Sequence, residues 1–242
     1  MSFHYSPNIV TDGLMLYVDA ANYKSIVSGD TTWNDITKTG DDGTLVNGPT
    51  YNPNNNGSIL FDGLDDYVNF SELTPANTLN TFSFGLWFSP TTTITPGSLA
   101  TFSVLMEAQD QRFTSSRADN YIYFLTNGEL LFATFSPTND LVSIQTTWNS
   151  NEWYQLFCTY EPITGEKKLF INGELENSVT GVTGNYFNTF THFGLGAYNA
   201  TTIFSPTNAF NGNISNFMVY DKTLSEQEVL QNYNTLKSRY GL

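Results

Sequence analysis

Residues 81–88 constrain the fold of this chain more than any other stretch. Strand side chains point alternately to two faces, so Phe82, Phe84, Leu86 and Phe88 fall on one side, and Ser83, Gly85 and Trp87 on the other. A face of three phenylalanines and a leucine has to be buried against a second layer, which makes this a core strand of a sheet protein. The same period recurs along the chain. Leu14, Leu16 and Val18 alternate with Met15, Tyr17 and Asp19, which predicts a first strand that is apolar on both faces and central in its sheet. Residues 121–125 and 130–135 flank Asn127-Gly128, the dipeptide that most strongly signals a two-strand hairpin. A second hairpin joins 153–160 to 168–171 through Pro162 and Gly165, and Asn172-Gly173 turns the chain again into Glu174. The last strand is expected over 210–220, with Ile214, Met218 and Tyr220 facing the same way. Residues 22–53 read as a long surface loop pinned by Trp33, because Asp, Thr, Gly and Asn dominate it.

One helix is expected. Ser225-Glu226-Gln227-Glu228 is a capping box, and Leu224 and Val229 are spaced as a hydrophobic staple. Val229, Leu230, Tyr233 and Leu236 form its apolar stripe, to be laid on the outside of a sheet.

Composition narrows what such a chain can do. Forty per cent apolar residues, with 19 Phe, 14 Tyr and 4 Trp, can fill an extensive core, and residues 1–242 are read as a single domain. A formal charge of −14 repels phosphate backbones and anionic membrane surfaces, so neither nucleic acid nor membrane insertion is expected. No apolar run approaches the roughly 20 residues that span a bilayer. The first residues, Met1 to Pro7, lack a charged segment followed by an apolar one, so no secretory signal is read and synthesis in the cytoplasm is expected. Cys158, the sole cysteine, cannot form an intrachain disulfide and reads as a small buried hydrophobe.

Residues 58–70 place Ile59 and Phe61 on one face of a short strand and Val68 and Phe70 on one face of the next. Between them lies a corner with Asp62-Gly63 and Asp65-Asp66. Carboxylates packed into a turn can cap backbone amides in solvent, or their oxygens can bind a hard cation such as calcium. Both readings stay open on the sequence.

The stretch from Phe61 to Val68 resembles the F-D-G-x-D-D-Y-V signature of laminin-G-like domains in the concanavalin A-like lectin/glucanase superfamily. Gly13 to Asn22 is similar to that family's opening strand. Trp153-Tyr154-Gln155 with Leu169 to Gly173 resembles its W-x-x…L-[YF]-[VI]-N-G hairpin, and Phe210 to Ser225 its closing strand. The resemblance implies an all-β fold, a two-sheet antiparallel jelly-roll sandwich with a short C-terminal helix. It also implies a calcium site where the corner meets the last strand, with Asp62, Asp65 and Asn216 as ligands. Asn216 stands near the position where many members carry an acid, and an amide carbonyl ligates calcium more weakly than a carboxylate.

A glucanase of this superfamily is expected to carry E-x-D-x-x-E or E-x-D-x-E on one strand, because two carboxylates must flank the glycosidic bond. The chain has no such triplet, and Glu107 with Asp110 fails on spacing. His4 and His192 lack ligand-spaced partners, and there is no nucleophile elbow and no phosphate loop. The expectation is therefore a binding module and not an enzyme, with a carbohydrate-active hydrolase or lyase on the same fold as the alternative.

Sugar binding calls for an aromatic platform beside amide groups. Trp148, Asn149 and Asn151 offer one such group, and Tyr198, Asn199, Phe204 and Asn208 another, although aromatic anchors covering the edge of the core fit both stretches equally well. The run from Asn232 to Leu242 resembles the ending common on such domains in virion proteins of tailed bacteriophages. A virion location is therefore expected, as a fibre or decoration component made in the host cytoplasm, with surface glycan or other virion proteins as partners.

Overall fold

The computed structural model describes residues 8–37, 39–70, 81–110, 120–134, 140–181, 190–197 and 208–242. Sixteen strands are formed among them: β1 (Leu14–Asp19), β2 (Thr32–Trp33), β3 (Gly43–Val46), β4 (Thr50–Asn52), β5 (Ser58–Asp62), β6 (Tyr67–Phe70), β7 (Phe82–Pro90) and β8 (Ser103–Asp110), then β9 (Asn120–Phe124), β10 (Leu130–Thr134), β11 (Leu141–Val142), β12 (Tyr154–Glu161), β13 (Glu166–Ile171), β14 (Glu174–Val179), β15 (Phe190–Leu195) and β16 (Asn211–Tyr220). They make two antiparallel sheets packed as a sandwich. The first runs β14-β13-β12-β7-β16-β5-β4, with β1 also paired to β16, and the second runs β11-β10-β9-β8-β15-β6-β3-β2.

The phenylalanine face of β7 is where the layers meet. Phe82, Phe84 and Phe88 are fully buried and Leu86 is 1% exposed, in one cluster with Phe70, Phe124, Phe132 and Phe193 from the second sheet. The opposite face of β7 is covered differently. Gly85 lies across from Phe157, whose ring occupies the space a methyl group on Gly85 would need. Phe157 belongs with Tyr17, Phe170, Met218, Tyr220 and Val229 to a second apolar cluster under the helix α1 (Glu226–Leu236). Ser225 and Glu228 complete the expected capping box, and Leu224 and Val229 are both buried.

Both hairpins form where the sequence puts them, β9 with β10 and β12 with β13. Three expectations need correction. Residues 22–53 are not one loop: β2, β3 and β4 lie within them, and Trp33 is a fully buried core residue. β1 is not central, since among the described residues β16 is its one ladder partner. Its free edge is closed by the next loop, where Asp35 accepts from the Tyr17 amide at 3.0 Å and the Thr37 and Thr39 hydroxyls donate to the Met15 carbonyl at 3.1 and 2.9 Å. Finally, Ile214 does not share a face with Met218 and Tyr220. A bulge between Ile214 and Asn216 inserts one residue, which reverses the alternation beyond it. Ile214, Phe217 and Val219 therefore enter the main core, while Met218 and Tyr220 face the helix.

Candidate functional site

The corner between Asp62 and Asp66 connects the two sheets, because β5 belongs to one and β6 to the other. Asp62, Asp65 and Asp66 each present a carboxylate oxygen within 4.8 Å of the others. The corner is held from within: the Asp62 amide donates to Asp66 Oδ2 at 3.0 Å, the Leu64 amide to Asp62 Oδ1 at 2.8 Å, and Asn47 Nδ2 to the Asp65 carbonyl at 2.9 Å. Burial pushes the Asp66 carboxyl up from its ordinary range, and the charges of Asp62 and Asp65 add to this against the Asp62 amide bond. Three crowded carboxylates with one reluctant to ionise is an arrangement a divalent cation would relieve.

Asn216 does not join them. Asp62 stands opposite Asn211 on β16, and Asn216 lies five positions further along. At the rise of a strand that is roughly 15 Å away. Asn216 is instead fully buried beside Trp87, under the segment Lys237–Tyr240, where its Nδ2 donates to Ser215 Oγ and Tyr240 Oη. The third carboxylate of the corner is Asp66.

The sugar residues read from the sequence are scattered. Trp148 is no platform: it is fully buried, its ring centroid lies 5.1 to 5.6 Å from those of Phe88, Phe124 and Tyr154, and its Nε1 donates to the Gly128 carbonyl at 2.9 Å. Paired backbone bonds with Ile94 turn it inward. Asn149 is exposed and engaged with Glu152 through its Nδ2 at 3.0 Å. Asn208 is buried and accepts from the Thr101 hydroxyl at 3.0 Å. Tyr198, Asn199 and Phe204 lie outside the described residues.

Asn151 does line a pocket. On the outer face of the first sheet, Asn52, Asn54, Asn55, Ser89, Asn151, Trp153 and Asn213 enclose about 370 Å³. The floor follows from strand alternation. Phe88, Ile59 and Ile214 point inward, so their neighbours Ser89, Ser58 and Asn213 must point out. Asn213 Oδ1 accepts from Asn52 Nδ2 at 2.9 Å and from the Ser58 hydroxyl at 3.1 Å, which fixes the orientation of its amide. One wall is the turn Asn54–Asn56, where Asn55 adopts a positive φ of 53°, a conformation Asn tolerates well. The other wall is Asn151, also left-handed at φ 61°, and Trp153, which keeps 8% exposure while Tyr240 packs against it at 4.7 Å.

Arg239 locks this assembly. Its Nε donates to the Asn55 carbonyl at 3.1 Å, Nη2 to the Gly57 carbonyl at 2.9 Å, and Nη1 pairs with Asp19 at 2.6 Å. Sequence reasoning passed over Asn52, Asn54, Asn55 and Asn213 as turn and strand-edge residues. The one available signal was the run Asn52-Pro53-Asn54-Asn55-Asn56, denser in amides than a turn requires.

A second cavity of about 490 Å³ lies beside β1, lined by Ile9, Thr11, Leu14, Tyr17, Ile36, Thr37 and Thr39, and it is mostly apolar. Other titratable groups lie inside the sandwich. Burial pushes the Cys158 thiol up and lowers Lys167 to about 8, with the Lys167 ammonium 4.9 Å from the centre of the Phe132 ring. Glu107 is buried too, but on the outer face of the second sheet, because its β8 neighbours Met106 and Ala108 face the core. Among the described residues no helix is long and apolar enough to cross a membrane.

Residues 61–230 match the laminin-G-type family model described as concanavalin A-like lectin/glucanases superfamily. The chain belongs to that superfamily. No curated protein matches it. Among solved structures it is similar to a Trypanosoma rangeli sialidase in complex with sialic acid, with a TM-score of 0.68 at 13% identity, covering 96% of this chain and 34% of that one. It is also similar to the binding domain of botulinum neurotoxin DC in complex with rat synaptotagmin II, with a TM-score of 0.67 at 14% identity and coverage of 94% and 52%. The botulinum neurotoxin type G receptor binding domain scores 0.66 at 14% identity, with coverage of 92% and 51%. The chain thus spans about a third of the sialidase and about half of the toxin domains.

These neighbours correct the expectation that the chain is not an enzyme. The sandwich occurs in a protein named as a sialidase as well as in toxin binding domains, so the fold does not separate catalysis from binding. The missing carboxylate triplet does not separate them either, because sialidases are among the glycosidases that depart from the paired-carboxylate scheme.

Proposed function

We propose that this superfamily domain binds surface glycan through the asparagine pocket, as a fibre or decoration component of a virion in contact with other virion proteins. The pocket carries this reading: five amides, a hydroxyl and an indole line one concave site of about 370 Å³. An amide offers donors and an acceptor side by side, as neighbouring sugar hydroxyls require, and an indole accepts the apolar side of a sugar ring. The neighbour solved with sialic acid and the toxin domains named for receptor binding are in keeping with a face turned toward cell-surface ligands. The virion placement rests on the resemblance of the ending from Asn232 to Leu242 to those of phage virion proteins. The protein should retain members of a glycan array, and Asn54→Ala, a change at an exposed turn residue, should weaken that retention while keeping the β-sheet circular dichroism. Retention unchanged by that substitution would move the binding face elsewhere.

Calcium is the cofactor we assign to the Asp62, Asp65 and Asp66 corner. A cation that binds only the folded state stabilises it by RT ln(1 + [L]/Kd). With a Kd of roughly 0.1 to 1 mM, millimolar calcium contributes about 0.4 to 1.4 kcal/mol, a rise of roughly one to several degrees in Tm for a domain this size. Asp62→Ala should abolish the rise, and magnesium should give less because it sheds water reluctantly. The pH dependence has a definite sign. The folded state holds the Asp66 proton more tightly than the unfolded chain does. In metal-free protein, this group's contribution to stability is therefore complete below the ordinary Asp pKa and is lost as pH rises through the raised value. Calcium should flatten that loss. Identical melting curves in calcium, magnesium and sodium at matched ionic strength would leave the carboxylates as turn caps.

A further inference from the structure

Among the described residues, the lining of the asparagine pocket carries no charge. In a protein with 23 acidic and 9 basic side chains, seven neutral residues converge there: Asn52, Asn54, Asn55, Ser89, Asn151, Trp153 and Asn213. We infer that the site takes an uncharged sugar, a mono- or disaccharide, and discriminates against sialic and uronic acids. The inference rests on the glycan-binding reading and deepens it.

Anionic sugars are usually held by a guanidinium or an ammonium, because a carboxylate entering a partly desolvated site needs a compensating cation. Among the described residues, Arg239 is the cation whose bonds reach the pocket wall, and three of its five N–H donors are committed inside the fold. Nη1 pairs with Asp19 at 2.6 Å, while Nε and Nη2 serve the Asn55 and Gly57 carbonyls at 3.1 and 2.9 Å. The side chains of Arg239 and Asp19 are 9% and 12% exposed, so the pair presents no positive face to the cavity. Among the described lining residues a ligand carboxylate would meet neutral dipoles, inside the field of a chain with formal charge −14.

The polar groups left available are suited to hydroxyls. Asn213 spends its Oδ1 on Asn52 and Ser58, which leaves its Nδ2 toward the cavity as a donor. The Asn52 Oδ1 accepts from the Asn54 amide at 3.1 Å and keeps a second lone pair. The Ser89 hydroxyl, 2% exposed on the floor, has no hydrogen-bond partner among the described residues and can both donate and accept. A volume of about 370 Å³ lies near the small end of the range for small-molecule sites, which limits the ligand to one or two sugar rings.

Isothermal titration calorimetry on the full chain tests this. The probes are the methyl glycosides of glucose, galactose, mannose and N-acetylglucosamine and the disaccharides lactose and maltose, against N-acetylneuraminic acid and glucuronic acid. Each is titrated at roughly 0.05 and 0.5 M salt, a range over which the screening length shrinks several-fold. At least one neutral sugar should bind about tenfold more tightly than either acid, with an affinity indifferent to salt. Both Asn213→Ala and Asn54→Ala should weaken it about tenfold, the loss expected when a desolvated hydroxyl keeps no partner. Asn54 is exposed in a turn, so its variant keeps the fold. An acid that binds as tightly as the neutral sugars and is lost in the same two variants would overturn the inference while leaving the pocket as the site. Binding of none of the probes, or binding indifferent to both variants, would remove the pocket reading and the inference together.

Discussion

Trp148→Ala should lower the unfolding free energy by about 3–5 kcal/mol, among the largest losses a single truncation produces. The side chain is fully buried among Phe88, Phe124 and Tyr154, and its indole N–H is the partner of the Gly128 carbonyl. Truncation leaves a cavity the size of the ring system and an acceptor without its donor. At about 2–4 °C per kcal/mol, Tm should fall by roughly 6 to 20 °C. Trp148→Phe keeps most of the volume and should cost about 1–3 kcal/mol, chiefly through the orphaned carbonyl. Urea denaturation of the three proteins checks both numbers. A loss below about 1 kcal/mol for Trp148→Ala, together with weaker sugar binding, would return Trp148 to the surface as a platform.

Arg239→Met should cost about 3–5 kcal/mol, because it strands Asp19 in a nearly closed site. Asp19 also accepts from the Tyr17 hydroxyl and the Ala21 amide, both at 2.9 Å. The Tyr17 phenol is held well above its ordinary range, first by burial and then by this neighbouring charge. Adding Asp19→Asn to Arg239→Met should recover most of the stability, since the double variant buries no unpaired charge. Sugar affinity should behave differently. Arg239 is a positioning residue for the Asn54 and Asn55 wall through its bonds to Asn55 and Gly57, and the second substitution restores neither. Affinity should therefore fall in the single variant and stay low in the double. Strictly additive stability losses would show that the pair is not coupled.

What was legible in the sequence was local. The β9–β10 hairpin follows from Asn127-Gly128 between alternating runs, the helix start from four residues around Ser225, and the buried face of β7 from residues two apart. Features that depend on distant segments were not legible. The bulge at Ser215 leaves no mark in composition, yet it decides which of Phe217 and Met218 enters the main core. Trp148 beside Asn149 and Asn151 has the composition of a sugar platform, and only its pairing with Ile94 shows that it points inward. Of the expected metal ligands, Asp62 and Asp65 meet because the corner itself brings them together, whereas Asn216 depended on a register the sequence does not specify. The asparagine pocket draws on β4, β7, β16 and two turns. No window of sequence contains it, and its outline emerges only when strand order is known.

The place of β16 in the first sheet bears on how the chain is made. β16 lies between β7 on one edge and β5 with β1 on the other, so Leu14 waits for Tyr220 before the sheet can close. A ribosome delivers these partners in order, and β7, with its row of phenylalanines, emerges long before the strand that completes its ladder. Until then the nascent chain holds an apolar strand with one edge unpaired, the kind of surface on which chaperones act and aggregates start. A premature stop anywhere before β16 would release a product unable to close either the sheet or the core. Closure of the first sheet therefore waits for β16, however early its other strands are made.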